Sequence, residues 1–357
     1  MDFGICVASN VRDIDYTVRA EELGFTHAWF ADSQMLWSDC YAALALAAVR
    51  TKRIQLGTGV AITGTRPPPV TAASIATINA LAPGRTFLGL GAGNTAMRIM
   101  GLPPQNVSTL EKYVQTLRPL LCGEEAKYEV KGKTKRIKHV MRDDGFVNFD
   151  DPIPLYVSGF GPKSLGLTGK YADGAVLAMP ANAMIMENIW SMLEAGAGDV
   201  DRTLHRSTFY TTALTTVVVL DPGEAVDSDR VKAECGAMAM AAIHYAYEQV
   251  RNFGRQPAGA LKYVWEDYRK MIESFPADVI HQRIHAGHNC YVIPEEERFL
   301  TPEVLQASAV IGTRDQIIDQ FSALSEAGLD QIMMLPNYDP RFSCIERFAR
   351  DIIGNVA

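Results

Sequence analysis

Long apolar runs are missing from this 357-residue sequence, and none reaches the length a bilayer demands, so no transmembrane role is expected. Excess positive charge is missing too. Lys and Arg number 34 against 41 Asp and Glu, giving a formal charge of −7, and no basic run suggests a nucleic-acid footprint. The densest basic stretch, Lys131 to Lys138, reads as a solvated hairpin. Paired cysteines are also missing. Cys6, Cys40, Cys122, Cys235, Cys290 and Cys344 lie far apart with no CxxC, which argues against zinc or a disulfide framework and for a reducing compartment. The N-terminus runs straight into a strand-like segment with no basic leader or cleavage site, so the expected location is the cytoplasm. A GxSxG elbow is lacking, which sets aside Ser/His/Asp hydrolysis.

What is present is an ordinary globular balance, 48% hydrophobic and 21% charged, in a chain long enough for a large core. Short Val/Ile/Phe/Leu-rich runs alternate with helical periods. Strands are predicted at 3–8, 26–31, 53–60, 85–90, 154–158, 174–179, 211–220 and 331–335. Helices fall between them, and a two-stranded excursion is predicted over 126–140. Eight alternations indicate an α/β protein with a parallel sheet, and the even spread of strands favours a (β/α)8 TIM barrel over an open doubly wound sheet. The domain reading is a single barrel over residues 1–357 with a helical, aromatic insertion at about 221–300, placed at the catalytic end, where long loops concentrate.

Three glycine-containing segments could meet a ligand. Tyr156 to Lys163 is a strand ending in Ser158-Gly159-Phe160-Gly161 and opening a helix, which suits either an anion at a helix N-terminus or a bare tight turn. Leu88 to Asn94 lacks the third glycine and the acidic residue of a dinucleotide fingerprint, so a flat ring lying against bare backbone reads better. In Leu56 to Thr63, glycine inside a strand marks a bulge or a close approach at Gly59-Val60. Asp32, after the second strand, could orient a ligand or cap a turn, and Trp37 follows it. His285 and His288 share a loop with Cys290 and Tyr291. No carboxylate completes a metal set there, and substrate contact or proton transfer is the better reading.

Together these segments resemble the bacterial-luciferase-like superfamily, most closely its methylenetetrahydromethanopterin reductase members. The resemblance rests on Ala20-Glu-Glu-Leu-Gly-Phe25, Ala28-Trp-Phe-Ala-Asp32, Leu56-Gly-Thr-Gly-Val60, Pro69 to Thr77, and Arg85 to Asn94. It resumes at 156–178 and 311–335, and leaves 220–301 uncovered. It implies a barrel holding FMN or the deazaflavin F420 at the C-terminal strand ends. Gly59-Val60 would be a non-prolyl cis peptide against the ring, and Asn94 would lie near its polar rim. The Ser158–Gly161 turn would take the cofactor phosphate.

The sequence departs from that family at two positions. Ser33 stands where a histidine is usual, and Cys6 where the reductase has a carboxylate, which leaves Cys6, Trp37 and Tyr291 as substrate-side candidates. His285 or His288 could supply the lost proton-transfer group, with Asp32 beside them as a catalytic candidate. The leading expectation is an FMN-dependent monooxygenase acting on a small organic substrate with O2. The alternatives are an F420-dependent reductase or dehydrogenase acting on an imine or carbonyl, and a non-catalytic flavin-binding protein. The resemblance implies a homodimer and a separate flavin or F420 reductase as partner.

Overall fold

The computed structural model describes residues 1–355, and these fall into two compact units. The first comprises Met1–Met97, Pro103–Leu214 and Ala323–Met333. It contains a closed parallel barrel of eight strands: β1 (Asp2–Val7), β2 (His27–Phe30), β3 (Gln55–Thr58), β4 (Thr86–Gly91), β5 (Leu155–Ser158), β6 (Gly174–Ala178), β7 (Tyr210–Thr215) and β8 (Gln331–Met334). Neighbours in sequence are neighbours in space, β8 lies beside β1, and β3 pairs with β4 through Gly57↔Phe87. Such closure leaves no sheet edge exposed.

Helices follow the strands as the punctuation in the sequence dictates. After α1 (Asp15–Glu22), α2 (Cys40–Arg50) begins where Asp39 Oδ1 accepts from the N–H groups of Tyr41 and Ala42 at 3.0 Å each. Pro67 and Pro68 open α3 (Pro68–Leu81), where a missing N–H costs nothing. The short α4 (Asn94–Arg98) and then α5 (Val107–Leu121) follow β4, α6 (Pro162–Tyr171) follows β5, and α7 (Ala183–Gly198) follows β6. The basic stretch is a mostly exposed antiparallel hairpin of Ala126–Val130 and Lys133–Ile137.

Aromatic rings plug the N-terminal half of the barrel. His27, Trp29, Phe87, Tyr156 and Tyr210 stack or tilt with centroids 4.3 to 6.4 Å apart. Buried Gln331 fastens this layer: its Oε1 accepts from Trp29 Nε1 at 2.8 Å and from Thr212 Oγ1 at 2.9 Å. A floor so filled leaves ligands the opposite end.

Two predicted strands are shorter than expected. The 53–60 run stops at Thr58; the Gly59-Val60 peptide is cis, and Ala61–Ile62 then pairs with the end of β4. The 211–220 run divides at Thr216: Val217–Val219 pairs instead with Val310–Gly312 in a two-stranded sheet of the second unit. Both halves are buried, so apolar character continues through the break and hides it from a pattern reading.

The second unit comprises Arg98–Leu102, Thr215–Ser322 and Met334–Ala357, so the predicted insertion at 221–300 lies within it. Its core is helical: α8 (Asp229–Phe253), α9 (Leu261–Glu273), α10 (Ile280–Arg283) and α11 (Pro302–Ser308) pack around Ile243, Trp265, Tyr268, Phe299 and Leu305. α8 begins at Asp229, where Ser228 Oγ accepts from Val231 N–H and caps a charged first turn that carries no apolar period. α12 (Arg314–Glu326) and α13 (Arg341–Phe348) follow, and α13 runs into a π turn over Ala349–Ile353. No helix of the described residues is long and apolar enough to cross a membrane.

Candidate active site

Glycine dominates the C-terminal mouth of the barrel because backbone and side chain meet there without room for Cβ atoms. A Cβ on Gly89 would stand 2.1 Å from the Thr58 carbonyl oxygen and 3.2 Å from Val60 Cγ1; on Gly91 it would stand 2.7 Å from Val60 Cγ2. Gly59 has the Trp29 Cβ at 2.6 Å in the same sense. Val60 therefore projects across a surface made of backbone. Cys6 Sγ lies under it, 4.0 Å from the Gly59 oxygen, and Ser158 Cβ closes the side near Gly91 at 3.6 Å. Such a surface is shaped for a flat ring rather than for reactive side chains.

The loop that carries Val60 is anchored by charge. Asp32, 3% exposed, accepts from Ile62 N–H at 3.1 Å and from Arg66 Nη1 at 2.5 Å. Arg66 Nη2 continues to Asp39 Oδ2 at 2.7 Å, its guanidinium covers the Tyr41 ring at 5.0 Å, and its carbonyl accepts from Tyr113 Oη at 2.9 Å. Burial pushes the Asp32 carboxyl up, and Arg66 with the Ile62 amide draws it part of the way back. The Asp32 carboxylate thus neither caps a helix nor stands open to a ligand; it holds a loop. Sequence reading missed Arg66, because nothing in Thr65-Arg66-Pro67 signals a partner 34 residues earlier.

At the end of β5, Gly161 is the N-cap of α6 and a Cβ there would meet nothing within 4 Å. Ser164 Oγ accepts from the N–H groups of Phe160 and Gly161 at 3.1 and 3.2 Å. Gly159 N–H is taken by the Val176 carbonyl. The donors left for an anion are the first-turn amides of Lys163 and Ser164, beside open space at Gly161. Phe160 is 63% exposed beside it. These residues fit a phosphorylated tail. Asn94 is half-buried at the start of α4, and Trp37 closes a turn through its N–H to the Ser33 oxygen at 3.0 Å.

His285, His288 and Tyr291 belong to the second unit. His285 is buried, with Nε2 3.3 Å from Glu248 Oε1; His288 meets it edge-on at 5.5 Å between centroids. Burial, with His285 and His244 nearby, pushes His288 down to about 3. Tyr291 is 57% exposed. His244 is buried with Nε2 3.1 Å from Glu296 Oε1. No group of three or more His, Cys, Asp or Glu among the described residues is arranged to hold a metal. Glu248, Glu296 and Arg98 had no sequence signal.

Comparison with known proteins places this geometry. The family model described as luciferase-like monooxygenase matches residues 9–331. The 5,10-methylenetetrahydromethanopterin reductase of Archaeoglobus fulgidus is 27% identical over 343 residues, covering 93% of this chain and 92% of its own. The coenzyme F420-dependent tetrahydromethanopterin reductase of Methanopyrus kandleri superposes with a TM-score of 0.70 at 22% identity, covering 100% of this chain and 99% of its own. A type II Baeyer-Villiger monooxygenase of Pseudomonas putida, solved with FMN, superposes with a TM-score of 0.62 at 18% identity, covering 100% of this chain and 99% of its own.

Proposed function

We propose, on the premise that the chain belongs to the luciferase-like monooxygenase family, that this oxidoreductase uses F420 and transfers hydride to the carbon of a small carbonyl or imine. The FMN-dependent oxygenation expected first from sequence yields to this reading. A relative matched along nearly the whole chain is a methylenetetrahydromethanopterin reductase, whereas the FMN-bound neighbour shares the fold alone. The observation that carries the proposal is the side-chain-free mouth around Val60, where Gly59, Gly89 and Gly91 leave backbone for a tricyclic ring.

In this reading Val60, Gly89 and Gly91 would hold the ring, and Lys163 with the α6 N-terminus would hold the phosphate. When bound, F420 supplies a hydride from one face of its central ring. The protein's own part is orientation. Asp32 and Arg66 fix the loop bearing Val60, so the carboxylate acts on cofactor placement rather than on reacting atoms. The aromatic floor excludes water from below. Cys6, beneath Gly59, offers an uncharged surface there.

Equilibrium titration of the purified protein with F420 and with FMN, followed by fluorescence, tests the choice. F420 binding at least tenfold tighter than FMN, about 1.4 kcal/mol, is expected. The reverse order would return the reading to FMN and oxygenation. Binding of neither would leave a barrel without this redox chemistry.

A further inference from the structure

The excursion between α5 and β5 lies wholly within the first unit, and its charges are sorted by sign. Residues 126–138, the antiparallel hairpin, carry six cations and one acid in a chain whose formal charge is −7. Residues 142–151 reverse the sign, with four acids and one cation. The two segments are neighbours in space. The turn Arg142–Asp144 is fastened to the foot of the hairpin, where Arg142 Nη1 donates to the Cys122 and Gly123 oxygens at 3.4 and 3.3 Å. Arg142 Nη2 reaches Asp150 Oδ1 at 3.1 Å and draws that acid in beside the turn.

Two hairpin charges have local partners: Arg136 meets Glu125 at 3.3 Å, and Glu129 meets Lys112 at 3.9 Å. Toward the tip there are none. Lys131, Lys133 and Lys135 are exposed and meet no carboxylate among the described residues, and exposed Asp144 meets no cation. Apolar side chains stand among these charges. Val130, 43% exposed, shares a hairpin face with Lys133 and Lys135, because it pairs with Lys133 and alternate residues point the same way. Val140, Met141 and Phe146 are 84, 50 and 62% exposed. Exposed apolar groups ringed by unpaired charge have the make-up of a protein contact, apolar at its centre and polar at its rim. Lysines also guard an open strand edge, yet that role asks for neither the acidic turn nor Phe146.

We propose that this excursion docks a second copy of the chain about a two-fold axis, each basic hairpin lying on the partner's acidic turn. A patch that holds both signs can complement itself, and a two-fold contact uses it twice and closes at two copies. The occupant follows from the signs. A nucleic acid or an anionic lipid surface would attract the lysines but be repelled by Asp143, Asp144 and Asp150 beside them. This docking is independent of the cofactor.

Sedimentation velocity of the full chain, from about 1 to about 200 μM, reads the association. A dimer is expected, with a dissociation constant that rises at least about tenfold from about 0.05 to about 0.5 M salt as the charges are screened. Lys133→Glu with Lys135→Glu, and separately Asp143→Lys with Asp144→Lys, should each weaken it at least about tenfold by setting like charges together. Mixed one to one, the two double variants should pair again, because each reversed strip then meets its opposite. All four positions are exposed, so thermal midpoints should stay within about 2 °C of wild type. Glu guards a strand edge as Lys does, so edge protection alone expects no change of mass in either variant. A monomer throughout the range would overturn the proposal. So would a dimer that neither salt nor the double variants alter, or a mixture of folded variants that fails to pair. If a double variant does not fold, the salt dependence and Phe146→Ser, expected to weaken the dimer about tenfold, still decide it.

Discussion

The barrel mouth and the buried cluster of the second unit solve opposite problems. At the mouth the loop charges are matched: Asp32 meets Arg66, Arg66 meets Asp39, and Asp39 caps α2. Side chains are few, and the surface offered is backbone. In the second unit the helices bring together three histidines and two glutamates, and His244 Nδ1, His285 Nδ1 and Glu296 Oε2 are buried without a hydrogen-bond partner. The first region is built to hold still. In the second, polar groups kept buried and incompletely matched cost stability.

The comparison can be broken most forcefully at Gly89. Gly89→Ala puts a methyl 2.1 Å from the Thr58 oxygen, and backbone cannot yield as a side chain would. A loss above about 3 kcal/mol, or failure to fold, is expected in denaturant unfolding. Next comes Arg66→Met, which strands the buried Asp32 carboxylate. A loss of about 3 kcal/mol is expected, with the double variant Asp32→Asn, Arg66→Met recovering part of it. Stability within 0.5 kcal/mol of wild type, on the order of an ordinary surface change, would mean the mouth is not charge-matched.

Acid separates the regions more gently. His288 is pushed down to about 3 from its ordinary 6.5, so the unfolded chain binds its proton first as pH falls. Its contribution is complete above about 6.5 and is lost progressively toward 3. Between pH 7 and pH 5 that amounts to about 2 kcal/mol. His288→Asn should flatten this limb when unfolding midpoints are compared at the two pH values. His27 in the barrel floor, pushed down to about 4 by burial, sets a second limb that the His288 change leaves in place. The smallest effect on the fold, and the most selective on binding, belongs to Gly161→Asp. Its φ of −143° suits any residue and its Cβ meets nothing, so the fold should be unchanged or gain up to about 1 kcal/mol from a better N-cap. F420 affinity should nonetheless fall at least tenfold as a carboxylate meets the phosphate; unchanged affinity would move the phosphate elsewhere.

The same contrast explains what could be read beforehand. The barrel was legible because each strand announces itself locally, and the glycines at Gly59, Gly89, Gly91 and Gly161 stand in short motifs whose order carries the family. The cis Gly59-Val60 peptide came through that resemblance, since Thr58-Gly-Val alone marks only a close approach. Arg66, Glu248 and Glu296 were not legible. Each matters through a partner distant in sequence: 34 residues for Arg66 and Asp32, 52 for His244 and Glu296. Glu248 looks like any charged residue of a long helix until folding buries it. The division at Thr216 escaped for the same reason, since one apolar run serves two sheets.

The central claim is that the glycine-lined mouth of the barrel grips a deazaflavin by its ring and its phosphate. A crystal structure of the protein grown with F420 tests it most directly. The tricycle is expected against Val60, between the ends of β3 and β4, and the phosphate over Gly161. Ring density anywhere else, with the space around Val60 and Gly91 empty, would contradict it.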